Sequence, residues 1–187
     1  MMRWLWQWIS GVASPATAEG PGSPRARVLM VCTGNICRSP AAEGVLRAQL
    51  LRAGLQGLVR VDTAGTQGYH TSEAPDARAV RSAAQRGYDI AKLRARPMRA
   101  EDFVEFDWLL AMDQEHLDWL RKRAPAGFAG QICLIMDFAR RHPGVSEVPD
   151  PYFGGPAGFD HVLDLLEDAC EGVLDRLAAE RPPAAGG

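Results

Sequence analysis

One continuous apolar run, Val28-Leu29-Met30-Val31-Cys32, constrains the fold of this chain more than any other feature. Apolar residues without alternation are typical of a strand that is buried on both faces, as in a parallel sheet covered by helices. A short loop follows, and Ser39-Pro40 then favours a helix start, because proline suits the first turn and Glu43 lies near the positive end of the helix dipole. The run therefore predicts a strand–loop–helix unit.

The rest of the chain alternates between strand and helix patterns. Strands are predicted at 59–63, 106–112 and 131–136, and helices at 39–53, 76–86, 113–123 and 159–179. Strands that alternate with helices form parallel sheets, so we expect a layered α/β fold. Ligands of such folds bind beyond the carboxyl ends of the strands, where the loop after Cys32 lies.

The composition restricts the class of protein. The chain has 187 residues, of which 47% are hydrophobic and 24% charged, as in an ordinary single globular domain. A net charge of −2 argues against a nucleic-acid partner, and no apolar run approaches the ~20 residues of a membrane span. Four cysteines are too few for a disulfide scaffold. We therefore expect a cytoplasmic protein without stable membrane insertion.

Both ends of the chain differ from its centre. We expect a flexible N-terminal extension at residues 1–24, one domain at 25–180 and a disordered tail at 181–187. Three interpretations of the extension stay open: a signal peptide cleaved near Ala16-Thr17-Ala18, a weak interfacial anchor through Trp4, Trp6 and Trp8, or an unstructured lead-in. Secretion therefore stays open beside the cytoplasmic location.

The loop itself has the pattern C-x5-R-S, from Cys32 to Ser39. Backbone N–H groups of a short loop and of the first helical turn form a nest for an anion, and the same field favours a thiolate at Cys32. The guanidinium of Arg38 matches two oxygens of a phosphate, and the Ser39 hydroxyl can donate to the sulfur. The unit therefore predicts a nucleophile and an oxyanion site at one point.

A metal site is the alternative use of Cys32 and Cys37. The two other cysteines, Cys133 and Cys170, lie on a predicted strand and on an apolar helical stripe. They supply no second C-x-x-C pair, so the pattern does not favour metal binding.

Transfer of a phosphoryl group from an aryl ester also needs an acid for the leaving oxygen. Asp150 is the candidate, because prolines on both sides brace it in a loop and aromatic residues follow it. An ordinary Asp-Pro turn is the alternative interpretation of the same residues.

The chain resembles the low-molecular-weight protein tyrosine phosphatases from about Arg27 to Leu177, and it looks like a bacterial-type member. The resemblance rests on the loop Val31–Pro40, on Asp62–Thr66 with Gly68-Tyr69-His70, on Pro75-Asp76 with Arg78-Ala79, on Ala111-Met112-Asp113 and on Asp150-Pro151-Tyr152. The chain order, with the cysteine near the N-terminus and the acid near the C-terminus, also matches this family.

This resemblance implies a four-stranded parallel sheet flanked by helices on both faces, with a phosphate-binding loop between the first strand and the first helix. It implies a protein-tyrosine-phosphatase that works through a phosphocysteine, without metal or organic cofactor, on phosphotyrosine proteins and small aryl phosphates. A tyrosine kinase is one candidate partner, and the oligomeric state is open. The implied catalytic residues are Cys32, Arg38 and Asp150; the phosphate-binding residues Thr33, Gly34, Asn35, Ile36, Cys37, Arg38 and Ser39; the substrate-binding residues Ile36, Tyr69 and Tyr152.

Further roles follow only from the resemblance. Asn35 is expected to hydrogen-bond within the loop, and Cys37 to form a reversible disulfide with Cys32. Arg86 replaces a histidine that is frequent in the family, and no role is assigned to it. We expect His116, which replaces a frequent asparagine, to be a surface residue. Asp113 is expected to be a helix N-cap.

Three competing functions are kept open. Thioredoxin-dependent arsenate reductases share the loop but need two further cysteines, and the segment 65–105 has none. Protein-arginine phosphatases carry threonine where this chain has Ile36. A phosphotyrosine-binding pseudophosphatase would have lost Cys32, Arg38 or Asp150, and this chain keeps all three.

Overall fold

The computed structural model describes residues 24–179. The predicted extension, apart from Pro24, and the predicted tail lie outside the described residues. The strands are β1 (Ala26–Cys32), β2 (Val59–Gly65), β3 (Trp108–Ala111) and β4 (Gln131–Leu134). The helices are α1 (Arg38–Arg52), α2 (Ala77–Gln85), α3 (Asp102–Glu105), α4 (Gln114–Arg123) and α5 (Pro156–Ala179).

The four strands form one parallel sheet in the order β2-β1-β3-β4. The central strand β1 is buried on both faces, as the apolar run predicted. Val28 and Met30 pack on one side in the core that α1 and α5 cover, whereas Leu29 and Val31 pack on the other side with residues of α4. The predicted four-stranded α/β fold is confirmed, and its sheet places the carboxyl ends of β1 and β3 side by side.

Some predicted boundaries differ from the observed ones. The fourth strand ends at Leu134 instead of Met136, because a 3₁₀ turn, Ile135–Phe138, follows it and the Asp137 carboxylate accepts from the Leu134 N–H (3.2 Å). Helix α3 is absent from the sequence prediction. It begins at the buried Asp102, whose carboxylate accepts from the Arg99 N–H (2.7 Å). Hydrogen bonds of single carboxylates therefore decide both departures.

No helix among residues 24–179 is both long enough and apolar enough to cross a membrane.

Helix α5 approaches the 3₁₀ turn so closely that one position admits only glycine. A Cβ on Gly172 would lie 2.0 Å from the carbonyl oxygen of Phe138, which is backbone and cannot turn away. We expect Gly172→Ala to lower the free energy of unfolding by about 2–3 kcal/mol, the cost of overpacking a tight contact. Urea denaturation would measure the change.

Gly158 offers the matched control in the same helix. A Cβ there would meet its nearest atom, the Cβ of Pro151, at 3.6 Å, which is an ordinary contact. Gly158→Ala should therefore be neutral or stabilising, since alanine is favoured over glycine in helices by about 1 kcal/mol. Equal effects of the two substitutions would contradict the close-contact explanation.

Candidate active site

The loop between β1 and α1 is held by backbone hydrogen bonds from its neighbours. The Thr66 N–H donates to the Cys32 carbonyl (2.8 Å), and the Asp76 N–H donates to the Ile36 carbonyl (2.8 Å). Helix α1 begins at Arg38, and its N-cap residue, Cys37, makes no side-chain capping bond. The first N–H groups of α1 therefore stay available to an anion in the loop.

The sulfur of Cys32 lies at the end of β1, and the residue is only 3% exposed. Its Sγ lies 3.0 Å from the Ser39 Oγ. Because the Ser39 Oγ also accepts from Asn35 Nδ2 (2.9 Å), its own proton is left for the sulfur. This arrangement gives the Cys32 sulfur a hydrogen-bond donor.

Asn35 stabilises the loop through side-chain hydrogen bonds to Ser39 and to the backbone of Arg96. Its backbone is in the left-handed region (φ +58°), and its Oδ1 accepts from the Arg96 N–H (2.9 Å). The sequence pointed to Asn35 only through the resemblance and missed Arg96, whose guanidinium pairs with Asp62 and Asp102. Arg86 is not part of this network. It pairs with Asp164 (2.7 Å) on α5.

Arg38 is buried and joins four groups. Its Nη1 donates to Asp113 Oδ2 (2.7 Å) and to the Val148 carbonyl (3.3 Å). Its Nη2 donates to Thr33 Oγ1 (3.1 Å) and to Asp150 Oδ2 (2.7 Å). The guanidinium is thus oriented by α4 and by the loop before α5, and Asp150 contacts it directly.

Asp150 is the half-exposed member of this group, with 47% of its side chain accessible. Its second oxygen, Oδ1, accepts from the Tyr152 N–H (3.0 Å). The loop that carries it is tied to α2, because Arg78 pairs with Asp76 (2.8 Å), donates to the Gly154 carbonyl (3.3 Å) and lies over the Tyr152 ring. Arg78 belongs to a segment that carries the resemblance, but no role was predicted for it.

The structure corrects the expectation for His116. This residue is not at the surface: it is 2% exposed, and its Nε2 lies 2.9 Å from Thr33 Oγ1. Its Nδ1 lies 2.7 Å from Asp113 Oδ1, although the N–H does not point straight at that oxygen. The burial follows from the sheet order, since α4 starts where β3 ends, next to the loop after β1.

Asp113 is the N-cap of α4, as predicted, since it accepts from the His116 N–H (2.9 Å). The same carboxylate also binds Arg38, which the sequence analysis missed. Burial raises the pKa of Asp113, but the hydrogen bonds and charge of His116 and the bond from Arg38 outweigh it, so the pKa lies well below its usual value. Asp113 is therefore a permanent carboxylate beside Arg38.

A cavity of about 250 Å³ opens above the loop. Most of its walls come from predicted site residues: Cys32, Thr33, Gly34, Ile36, Cys37, Arg38, Tyr69, Asp150 and Tyr152. Asn35 and Ser39 do not line it. His70 and Phe153 also line it and were not predicted. Phe153 is 96% exposed and packs edge-on against Tyr152 with ring centroids 5.0 Å apart, so the cavity mouth is aromatic.

Cys37 shares the cavity with Cys32, and both cysteines are free. Burial raises the pKa of the Cys37 thiol to about 12, and the negative charges of Asp76, Cys32 and Asp150 add to the effect. Cys37 is therefore a neutral thiol within the loop.

A parallel α/β sheet with a C-x5-R-S loop at an open helix N-terminus fits the class of cysteine-dependent phosphatases that the sequence resembles. Comparison with known proteins narrows the class. The family model described as low molecular weight phosphotyrosine protein phosphatase matches residues 27–182. The chain belongs to this family.

Individual relatives agree with that assignment. A Synechocystis protein, provisionally named as a low molecular weight protein-tyrosine-phosphatase, is 47% identical to this chain over 155 residues. The alignment covers 82% of this chain and 98% of the relative. The crystal structure of a protein tyrosine phosphatase from Entamoeba histolytica, with Hepes in its active site, is 39% identical with a TM-score of 0.79, covering 82% of this chain and 97% of that one. The crystal structure of YfkJ from Bacillus subtilis is 32% identical with a TM-score of 0.79, covering 87% of this chain and 100% of that one.

Proposed function

We propose that this protein hydrolyses phosphotyrosine in proteins, and small aryl phosphates, through a phosphocysteine intermediate. The observation that carries the proposal is the meeting of three groups at one aromatic-walled cavity: the Cys32 thiol, the Arg38 guanidinium and the Asp150 carboxyl. Their chemical types are those needed for a nucleophile, an oxyanion clamp and an acid for the leaving oxygen.

The first step transfers the phosphoryl group to sulfur. The Cys32 thiolate attacks phosphorus, the S–P bond forms, and the bond between phosphorus and the tyrosine oxygen breaks. Asp150 gives its proton to the departing oxygen. Arg38 and the N–H groups of the loop from Thr33 to Ser39 hold the other phosphoryl oxygens while the transition state spreads its charge.

The second step returns the thiolate. Asp150, now a carboxylate, takes a proton from water, and the water oxygen attacks phosphorus as the S–P bond breaks. Inorganic phosphate leaves. Apart from the substrate and water, all reacting groups in this scheme belong to the chain, so the proposal includes no cofactor.

The substrate ring is assigned to the cavity mouth. Ile36, Tyr69 and Tyr152 would line a slot for a flat phenyl group. Tyr69 is 80% exposed and Tyr152 is half-exposed, so both rings are accessible to a substrate. Ile36 is buried in the cavity wall, where its apolar side chain suits a phenyl ring better than a guanidinium group.

Asp150→Asn tests the assignment of the acid. We expect kcat for phenyl phosphate to fall by about 10²-fold, because the poor leaving group needs a proton. For p-nitrophenyl phosphate, whose leaving group is more acidic, the loss should be smaller. Turnover of both substrates would be measured with and without EDTA, and the proposal requires activity that EDTA leaves unchanged.

Asp118→Asn is the matched control. Asp118 is exposed on α4, and among the described residues its carboxylate accepts a hydrogen bond only from Gln114. It should leave both rates unchanged. An equal loss for both leaving groups in Asp150→Asn would contradict the acid role, since a merely structural defect does not depend on the leaving group.

The competing functions predict other outcomes in the same assay. An arginine phosphatase would prefer a phosphoarginine peptide to a phosphotyrosine peptide of the same sequence. An arsenate reductase would consume a thiol reductant stoichiometrically with arsenate. A binding protein would retain the phosphotyrosine peptide without releasing phosphate.

Phosphotyrosine proteins are the proposed partners, and a tyrosine kinase that is itself phosphorylated on tyrosine fits the same chemistry. We place the activity in the cytoplasm, because the mechanism needs Cys32 as a free thiolate and a reducing compartment keeps it so.

Reversible oxidation tests the pairing of Cys32 with Cys37. We expect limited peroxide to oxidise Cys32 first and the Cys37 thiol then to close a disulfide, which mass spectrometry of the digested protein would detect. In Cys37→Ser, the sulfenic acid at Cys32 has no thiol partner, and further peroxide oxidises it to sulfinic acid, so dithiothreitol should not restore the lost activity. Equal recovery of the wild type and the variant would contradict the protective role.

A further inference from the structure

A closed ring of polar contacts joins the phosphate loop to the start of α4. Asp113 binds Arg38, Arg38 Nη2 donates to Thr33 Oγ1 (3.1 Å), Thr33 Oγ1 lies 2.9 Å from His116 Nε2, and His116 Nδ1 lies 2.7 Å from Asp113. His116 is buried, whereas Thr33 lines the cavity. His116 has no role in the proposed phosphoryl transfer.

The ring determines which nitrogen of His116 faces Asp113 and which faces Thr33. Asp113 is a carboxylate and can only accept, so the proton on the side of Asp113 stays on Nδ1. The other nitrogen, Nε2, faces Thr33, so its protonation state is the one that affects the Thr33 hydroxyl.

The Thr33 hydroxyl has one proton to donate and two lone pairs. Arg38 Nη2 already donates to one lone pair. When Nε2 carries no proton, the hydroxyl donates to it and has nothing left for a ligand. When Nε2 is protonated, it donates to the second lone pair, and the hydroxyl proton can point into the cavity.

We propose that His116 is a positioning residue whose protonation decides whether the Thr33 hydroxyl donates to His116 or to a tetrahedral oxyanion in the cavity. The inference rests on the proposed function only in taking that oxyanion to be the phosphoryl group. Oxyanion binding then becomes tighter as the pH falls, because one more hydrogen bond is available.

Other charged groups face the same region and must be separated from His116. They are Arg38 from α1, Asp113 at the start of α4, Glu147 and Asp150 from the loop before α5, and Cys32 and His70 in the cavity wall. Because all of them remain in every variant below, a double-mutant cycle cancels their titration.

The experiment measures binding of inorganic sulfate, whose charge is constant between about pH 5 and pH 8, from the sulfate-dependent rise in thermal unfolding temperature. The proteins are the wild type, His116→Asn, Thr33→Val and the double variant. At about pH 5.5 we expect each single variant to bind sulfate about three- to tenfold more weakly and the double variant to lose nothing more. At about pH 8 the sulfate affinities of all four proteins should agree within about twofold, because the Thr33 hydroxyl then donates to His116.

Three controls keep the test decisive. His161→Asn, an exposed histidine on α5, should behave as the wild type. Thr33→Ser keeps the hydroxyl and should keep the pH dependence. If His116→Asn does not fold, the comparison of Thr33→Val with Thr33→Ser at both pH values still carries the test.

Equal weakening by His116→Asn at both pH values, or additive losses in the double variant, would overturn the inference, since a structural role alone has those signatures. Sulfate binding needs no turnover. A protein that shows the expected cycle but hydrolyses no aryl phosphate would therefore refute the proposed function and leave this inference intact.

Discussion

Cys32→Ser is expected to lower kcat for aryl phosphates by about 10⁴-fold or more, because a hydroxyl at this position is a far weaker nucleophile than a thiolate. The substitution leaves Arg38, Asp150 and the loop N–H groups in place. The variant should therefore still bind sulfate or a phosphotyrosine peptide. Steady-state kinetics and a binding measurement on the same preparation would separate lost chemistry from lost folding.

Cys133→Ser is the matched control. This cysteine lies on the edge strand β4, half-buried, and burial raises the pKa of its thiol to about 11, so it is a neutral thiol without a catalytic neighbour. Its replacement should change kcat by less than about twofold. Residual turnover of Cys32→Ser comparable to that of Cys133→Ser would refute the phosphocysteine mechanism.

Arg38→Lys should have the second largest effect, a loss of about 10³-fold in kcat/KM. Lysine keeps the positive charge but cannot present two parallel N–H groups to a phosphate. It also cannot reach Asp113, Thr33 and Asp150 at once, as the guanidinium does. Both KM and the inhibition constant of inorganic phosphate should rise, and competition kinetics would measure them.

Arg121→Lys provides the control, since Arg121 is exposed in the last turn of α4. Its kinetic constants should match those of the wild type. If Arg38→Lys kept more than about a tenth of the wild-type kcat/KM, charge alone would account for oxyanion binding, and the role of the planar guanidinium would be wrong.

The local parts of this protein could be predicted from contiguous residues. The apolar run in β1, the helix start after the C-x5-R-S loop and the stripe of α5 are periodic patterns of neighbouring residues, and the structure has these elements within a few residues of the predicted bounds. The end of β4 was misplaced because the Asp137 carboxylate accepts from the Leu134 N–H, where a 3₁₀ turn begins.

The surroundings of the loop were harder to predict. His116 was expected at the surface from the resemblance alone, yet it is buried against Thr33. Asp113 was expected only as an N-cap and also binds Arg38. Arg96 donates to Asn35 from 61 residues away in the chain, and no pattern of neighbouring residues predicts this contact.

The sequence by itself determined the class of fold, the strand that carries Cys32 and the chemical types that the phosphate loop presents, because these depend on residues that are neighbours in the chain. The tertiary structure decided which groups meet at Arg38. The sheet order places β3 next to β1, which brings Asp113 and His116 to the loop, and the segment after β4 brings Asp150 to Arg38 across 112 residues. Contacts over such separations arise from strand order and helix packing, which no local pattern encodes.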